Sequence, residues 1–293
     1  MAVPPADVFC VFVSDCFPNS EKRGCCLITL HTLASGSSGN ALLLSCGETH
    51  LLVDAGISCR RITAGLRELG LTPTDLHTIL ITHTHGDHIS GLPVLLKHTA
   101  CPVRALPRTC RELEYRLADS VSSRLLPLEP CSAEWIEGCA VTAIPVSHDA
   151  PGACGYRFDT EEGSVGVLTD TGFITDEAME CLPGVDLAVL EANHDVEYLR
   201  SGPYPYSLKQ RVLGPAGHLC NEEAARFAVT LAEAGAGEIV LAHLSRENNT
   251  PAMAQHTVET ALSAAGLHPA VSVAPRDCLS RGYTVVRRVV CRK

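Results

Sequence analysis

Aromatic side chains are scarce, at 4% of the chain, with tryptophan present once. Burial must therefore rest on small aliphatic residues, chiefly Ala, Val and Leu. Charged residues are also few, 19% against 46% apolar. That balance excludes a disordered chain and supports a large core. Basic charge is in deficit: 23 Lys and Arg face 33 Asp and Glu, a formal net charge of −10. This argues against a protein that coats nucleic acid non-specifically. It leaves a nuclease open, because two bound dications would offset about four charges locally. Paired cysteine spacing is missing too. The 15 cysteines are odd in number, Cys25 and Cys26 are adjacent, and no Cys-x-x-Cys occurs. A zinc ribbon and a disulfide framework are excluded, and the thiols read as reduced. No segment approaches about 18 uninterrupted apolar residues, and the run Val8–Val13 is too short for a span. The start has no basic region of a signal peptide. The expectation is a cytoplasmic protein without membrane association, and nothing calls for an obligate protein partner.

What is present is an alternation of strand and helix signals. Residues 1–26, with Pro4-Pro5, Pro18-Asn19-Ser20 and Glu21-Lys22-Arg23-Gly24, read as an extension outside the core. Residues 27–293 read as one domain. Leu27–Leu33 is a strand and Ser35–Asn40 a Ser/Gly turn. Ala41–Ser45 and Leu51–Asp54 pair as a hairpin around Gly47. Arg60–Leu69 is an amphipathic helix ending at Gly70, and Thr78–Thr82 is a β-branched run. Further strands are expected at Ala140–Val146, Gly155–Asp159, Val165–Thr169, Leu187–Glu191 and Glu238–Ala242. Helices are expected at Glu222–Glu233 and Pro251–Ala265. Sheets then lie in the middle and helices outside.

The central signal is Thr82-His83-Thr84-His85-Gly86-Asp87-His88. Extended residues two apart point the same way, so His83 and His85 can grip one ion. Gly86 is read as the permit for a sharp turn, after which Asp87 and His88 can face a second ion. Imidazole and carboxylate suit Zn²⁺ or Mn²⁺. The plain alternative, a His-rich surface loop, does not explain three His and an Asp directly after an apolar strand. His148, Asp170 and His243 each follow an expected strand. A single His there is usually a solvated or core residue, but together these have the composition of a two-metal site.

His-x-His-x-Asp-His followed by His148, Asp170 and His243 resembles the metallo-β-lactamase fold, an αββα sandwich of two mixed β-sheets flanked by helices. The resemblance implies that His83, His85 and His148 hold a first ion. It gives Asp87, His88 and His243 to a second and makes Asp170 the bridge. Other segments narrow the likeness: Gly36-Ser37-Ser38-Gly39-Asn40, Asp54-Ala55-Gly56, Glu191-Ala192-Asn193-His194-Asp195, Gly202-Pro203-Tyr204-Pro205, Leu208-Lys209-Gln210-Arg211, Gly217-His218-Leu219-Cys220-Asn221 and Ala242-His243-Leu244-Ser245-Arg246-Glu247-Asn248-Asn249. Together they resemble the WalJ (YycJ) family, whose assigned activity is a 5′-to-3′ exonuclease on double-stranded DNA. The likeness runs from about Leu27 to Tyr283. Cys220 departs from it, since the family more often has serine there, and so does the N-terminal extension.

Several of these segments also have structural readings. Ser35–Asn40 is either a flexible turn or a set of N–H groups facing a phosphate. Asp54 either caps the following helix or supports a ligand loop. Lys209 and Arg211 are either solvated charges or contacts to a DNA backbone. Tyr204 and Tyr206 are read as packing, and Arg287, Arg288, Arg292 and Lys293 as a solvated basic tail.

The expected function is a dinuclear-metal phosphodiesterase acting on DNA by attack of a metal-bound hydroxide on phosphorus. Two ions about 3.5–4 Å apart can hold the nucleophile in line, with Asp87 orienting it. His218 is the expected proton donor to the leaving oxygen, because its motif resembles one in tRNA 3′-processing ribonucleases of the same fold. By the same analogy Glu191 orients His218. The competing readings are an RNA or cyclic-nucleotide phosphodiesterase, a thioester or lactone hydrolase, and a regulator that uses the fold only to bind.

Overall fold

The structure, a computed structural model, describes residues 27–285. The expected extension 1–26 and the tail Arg287, Arg288, Arg292 and Lys293 lie outside the described residues.

Alternating apolar residues build the first strands, β1 (Ile28–Ala34), β2 (Ala41–Cys46) and β3 (Thr49–Val53). They pair antiparallel, with Leu30 opposite Leu44 and Leu44 opposite Leu51. The chain then crosses over through α1 (Cys59–Glu68) to β4 (Thr78–Leu80), which lies parallel to β3. Two short helices follow, α2 (Gly86–Ile89) and α3 (Leu92–Leu95). After them come β5 (Val103–Ala105), α4 (Pro107–Val121) and β6 (Leu125–Pro127). The second half starts with an antiparallel set, β7 (Ala133–Ile136), β8 (Cys139–Pro145), β9 (Cys154–Asp159) and β10 (Ser164–Leu168). Next are α5 (Asp176–Cys181), β11 (Leu187–Glu191), α6 (Val196–Ser201), α7 (Tyr206–Leu213) and α8 (Asn221–Glu233). The described chain closes with β12 (Glu238–Ala242), α9 (Pro251–Ala264), β13 (Ala270–Val273) and β14 (Tyr283–Thr284).

Two seven-stranded sheets result, ordered β14-β1-β2-β3-β4-β5-β6 and β13-β12-β11-β10-β9-β8-β7. Each is part antiparallel and part parallel, so both are mixed. Three apolar clusters separate four layers. Leu30, Leu44, Val53, Tyr156, Phe158, Val167 and Val189 fill the space between the sheets. Leu43, Leu52 and Ile79 face outward against Ile62 and Leu66 of α1, Leu92 of α3 and Leu113 of α4. Leu168, Leu190 and Leu241 face Phe227 and Leu231 of α8 and Val258 of α9. Period-two alternation sends neighbouring residues of one strand into different clusters, as Leu43 and Leu44 do. The αββα sandwich expected from sequence is therefore present. No described helix is long and apolar enough to cross a membrane.

The sheets are tied together where β4 ends. The amide of Cys154 donates to the Thr82 carbonyl at 3.0 Å, and the buried Tyr156 hydroxyl donates to the Ile81 carbonyl at 2.7 Å. On the other side the His243 amide donates to Ser35 Oγ at 2.9 Å. The first two bonds fix the start of the loop 82–88 against the second sheet, and the third fixes the turn after β1 against it.

Candidate metal centre

The loop after β4 carries His83 and His85, α2 carries Asp87 and His88, and the loops after β8, β10 and β12 carry His148, Asp170 and His243. All seven converge at one edge of the sandwich. His83 Nε2 lies 3.1 Å from His85 Nδ1, which lies 3.2 Å from His148 Nε2. A tetrahedral ion with Zn–N bonds of about 2.0–2.1 Å has ligand-to-ligand edges of about 3.4 Å. These three nitrogens already stand close to that spacing. Asp87 Oδ2 lies 3.7 Å from both His88 Nε2 and His243 Nε2. Asp170 reaches both groups: Oδ2 is 3.3 Å from His88 Nε2, and Oδ1 is 3.9 Å from His148 Nε2.

The outer nitrogens of the rings are occupied, which leaves the inner ones for an ion. His88 Nδ1 donates to Asp54 Oδ2 at 2.7 Å, and His243 Nδ1 donates to Glu191 Oε1 at 3.0 Å. His148 Nδ1 donates to the Gly217 carbonyl at 3.0 Å. Two buried inner atoms, His243 Nε2 and Asp170 Oδ2, have no hydrogen-bond partner. A buried unpaired polar atom costs about 1–3 kcal/mol, and a cation between these two would satisfy both. The charges agree. Burial disfavours charge on His88, yet Asp170 and Asp54 outweigh it and raise its pKa to about 9. His243 is likewise pushed well up against its burial, by Asp170, Asp87 and Glu191. Protons thus sit where the carboxylates call for positive charge. The donor set therefore fits divalent ions.

Three of these residues hold left-handed backbone: Asp54 at φ 61°, Asp170 at φ 57° and His243 at φ 55°. Such strain costs on the order of 1–3 kcal/mol per non-glycine residue and is characteristic of sites that must aim a side chain. Asp54 does not cap a helix. It accepts from the Thr82 amide at 2.9 Å, from the Thr82 hydroxyl and from His88, and so supports the ligand loop.

Gly86 corrects the sequence reading. Its φ is ordinary, and a Cβ there would meet nothing within 4 Å. The turn is instead allowed by Gly56, where a Cβ would stand 1.6 Å from the Asp87 carbonyl oxygen. The two tyrosines read as packing also differ. Tyr206 is 77% exposed, and Tyr204 lines a cavity beside the cluster. Lys209 turns from the cluster and donates to the Arg200 carbonyl at 2.7 Å, whereas Arg211 lines that cavity.

His218 and Glu191 meet as expected. His218 Nδ1 donates to Glu191 Oε1 at 2.8 Å, while Glu191 Oε2 accepts from the Thr171 and Leu219 amides at 2.9 and 3.2 Å. Burial opposes charge on His218, but Glu191 and Asp170 raise its pKa. His218 also lies nearer the ligands than expected, with Nδ1 3.5 Å from Asp170 Oδ1. Cys220 sits at the N-cap of α8 and makes no side-chain cap bond. A serine there would supply one, worth roughly 1 kcal/mol. None of the ten described cysteines forms a disulfide.

Sequence reasoning missed Asp149. Its Oδ1 is 3.4 Å from His85 Nε2 and 3.5 Å from His148 Nε2, and its Oδ2 accepts from Arg211 Nε at 2.6 Å. The only signal was its place directly after His148.

The model of the beta-lactamase superfamily domain matches residues 49–244. Exodeoxyribonuclease WalJ of Streptococcus pneumoniae is 40% identical over 237 residues, which are 80% of this chain and 88% of that protein. This chain belongs to the WalJ/YycJ family. Exodeoxyribonuclease YycJ of Bacillus anthracis, 36% identical, is covered to 89% by 80% of this chain. Among solved structures, the metallo-beta-lactamase fold protein YhfI of Bacillus subtilis superposes with a TM-score of 0.68 at 18% identity, covering 88% of this chain and 99% of that one. It supports the fold alone. In this WalJ/YycJ chain the fold family implies divalent metal ions, and the His/Asp cluster is where they would bind.

Proposed function

We propose that this chain is a metal-dependent exodeoxyribonuclease that degrades double-stranded DNA from the 5′ end. The observation that carries the reading is the set of overlapping His, Asp and Glu clusters able to hold a metal ion in a chain so close to two exodeoxyribonucleases. His83, His85 and His148 would hold one ion, Asp87, His88 and His243 a second, with Asp170 between them. Zinc fits this nitrogen-rich set best, and manganese is the other candidate. When bound, such ions supply charge neutralisation at phosphorus and a water of lowered pKa.

The protein's own groups do the rest. Asp87 orients the attacking water. Glu191 fixes the His218 ring through Nδ1 and leaves Nε2 turned to the cavity, where it delivers a proton to the departing sugar oxygen. Asp54 and Glu191 hold the rings of His88 and His243 still, so little reorganisation is needed during reaction. A reducing, cytoplasmic setting agrees with the ten described cysteines, none of which forms a disulfide.

The deciding assay uses purified protein loaded with Zn²⁺ or Mn²⁺ on end-labelled duplex DNA, single-stranded DNA, RNA, an aryl phosphodiester and a thioester. Duplex DNA shortened from the 5′ end is the expected result. Faster turnover of RNA, or of the thioester with DNA intact, would sink the reading.

A further inference from the structure

Beside the cluster lies a cavity of about 160 Å³ that includes His148 and His218 at its wall, with Ser37, Arg211, Ser245 and Asn248 among its other lining residues. A duplex, whose major groove alone is about 12 Å wide, does not fit in it. The terminal phosphate of a strand end does, with its sugar at the mouth.

Arg211 is fixed there by Asp149. Its Nε donates to Asp149 Oδ2 at 2.6 Å, and the other oxygen of that carboxylate faces His85 and His148 at 3.4 and 3.5 Å. Asp149 thus tethers a guanidinium beside the cluster through one edge only. The two terminal nitrogens of Arg211 donate to no described protein acceptor, and the side chain is 58% exposed. A guanidinium with a free planar fork matches a phosphate bidentately. An occupant must bring negative charge for Arg211, and the terminal phosphate of a strand end brings it.

We propose that this cavity is a terminal-nucleotide pocket in which Arg211, positioned by Asp149, binds the 5′-phosphate of the strand end while the next phosphodiester lies at the cluster. This rests on the nuclease reading for its substrate but has its own test. Reading a chain end this way converts a diester-cleaving centre into one that works inward from a terminus.

The metal-loaded full chain is titrated with thymidine 5′-monophosphate, thymidine 3′-monophosphate and thymidine. KM and kcat are then compared on duplexes bearing a 5′-phosphate or a 5′-hydroxyl. The 5′-monophosphate should bind about 10- to 100-fold more tightly than thymidine, the range of a charge-assisted bidentate contact. Arg211→Gln should remove most of that difference, and Arg211→Lys should restore part of it. On DNA, Arg211→Gln should collapse the preference for phosphorylated ends, chiefly through KM. Asp149→Asn should weaken the same preference with both ions retained. Undiminished 5′-monophosphate binding by Arg211→Gln would overturn the proposal, because the phosphate would then sit on the ions alone. So would tighter binding of the 3′-monophosphate, equal rates on both kinds of end, or loss of an ion in Asp149→Asn. If the monophosphate contrast depends on Arg211 but no DNA is degraded, the pocket stands and the nuclease reading fails.

Discussion

Replacing Gly56 with alanine should dismantle the centre without substituting any of its proposed ligands. Its added Cβ would lie 1.6 Å from the Asp87 oxygen and 2.2 Å from the Asp87 carbonyl carbon, both rigid backbone. Ordinary contact begins at 3.4 Å, so Asp87 must retreat by about 1.8 Å or the strand end must shift as far. The Asn40 amide bond to Asp87 and the Gly56 amide bond to Asn40, each 2.8 Å, hold the same spot. Overpacking costs about 1–3 kcal/mol, and two disturbed hydrogen bonds add about 0.5–1.5 kcal/mol each. A domain of this size should then melt roughly 5–15 °C lower. A misplacement of about 1 Å can cost 10²-fold in rate, so the loss on an aryl phosphodiester should exceed that. Gly86→Ala is the control within the same motif. Its Cβ meets nothing within 4 Å, so the change should be tolerated. Metal content after dialysis and melting temperature are measured for both. The reasoning is refuted if Gly56→Ala keeps both ions and the parental melting temperature, or if Gly86→Ala loses them equally.

His218→Ala should retain its ions yet slow on DNA by roughly 10²–10⁴-fold, with a much smaller loss on an aryl phosphodiester whose leaving group needs no proton. His85→Ala should lose metal and both activities, and metal loss from His218→Ala would place His218 among the ligands. Tyr156→Phe leaves the Ile81 carbonyl between the sheets with only the weak Cys154 thiol at 4.0 Å. It should cost about 1–3 kcal/mol in denaturant unfolding, and an unchanged midpoint would show that this bond does not pin the loop. Deleting residues 1–26 should leave melting temperature and activity nearly unchanged, and a large drop would make them part of the core.

The long apolar strands were legible. Leu187–Glu191 and Glu238–Ala242 have the expected bounds, because continuous β-branched and aliphatic runs between turns leave few alternatives. Three-residue strands such as β5 and β6 carry too little pattern, and their state is decided by the neighbouring strand in the sheet. Helix α7 was read as charges rather than structure, since it buries only Val212. At the site, His83 to His88 stood out through dense spacing. Asp149 did not, because a single acid after a histidine has no period, and only the fold brings Arg211 to it from 62 residues away. Gly86 was credited with the freedom that Gly56 supplies. The crowding comes from a segment distant in sequence, and composition alone cannot register it.

The proposed ligands are divided between the two sheets: His83, His85, Asp87 and His88 follow a strand of one, while His148, Asp170 and His243 follow strands of the other. With ions held by that set, any excursion that parts the layers would tear the coordination shell in two. Ion release would then act as a clock for breathing of the sandwich. With excess chelator outside, the dwell time of the ions measures how often this edge opens, and a bound strand end would slow that clock by spanning the seam.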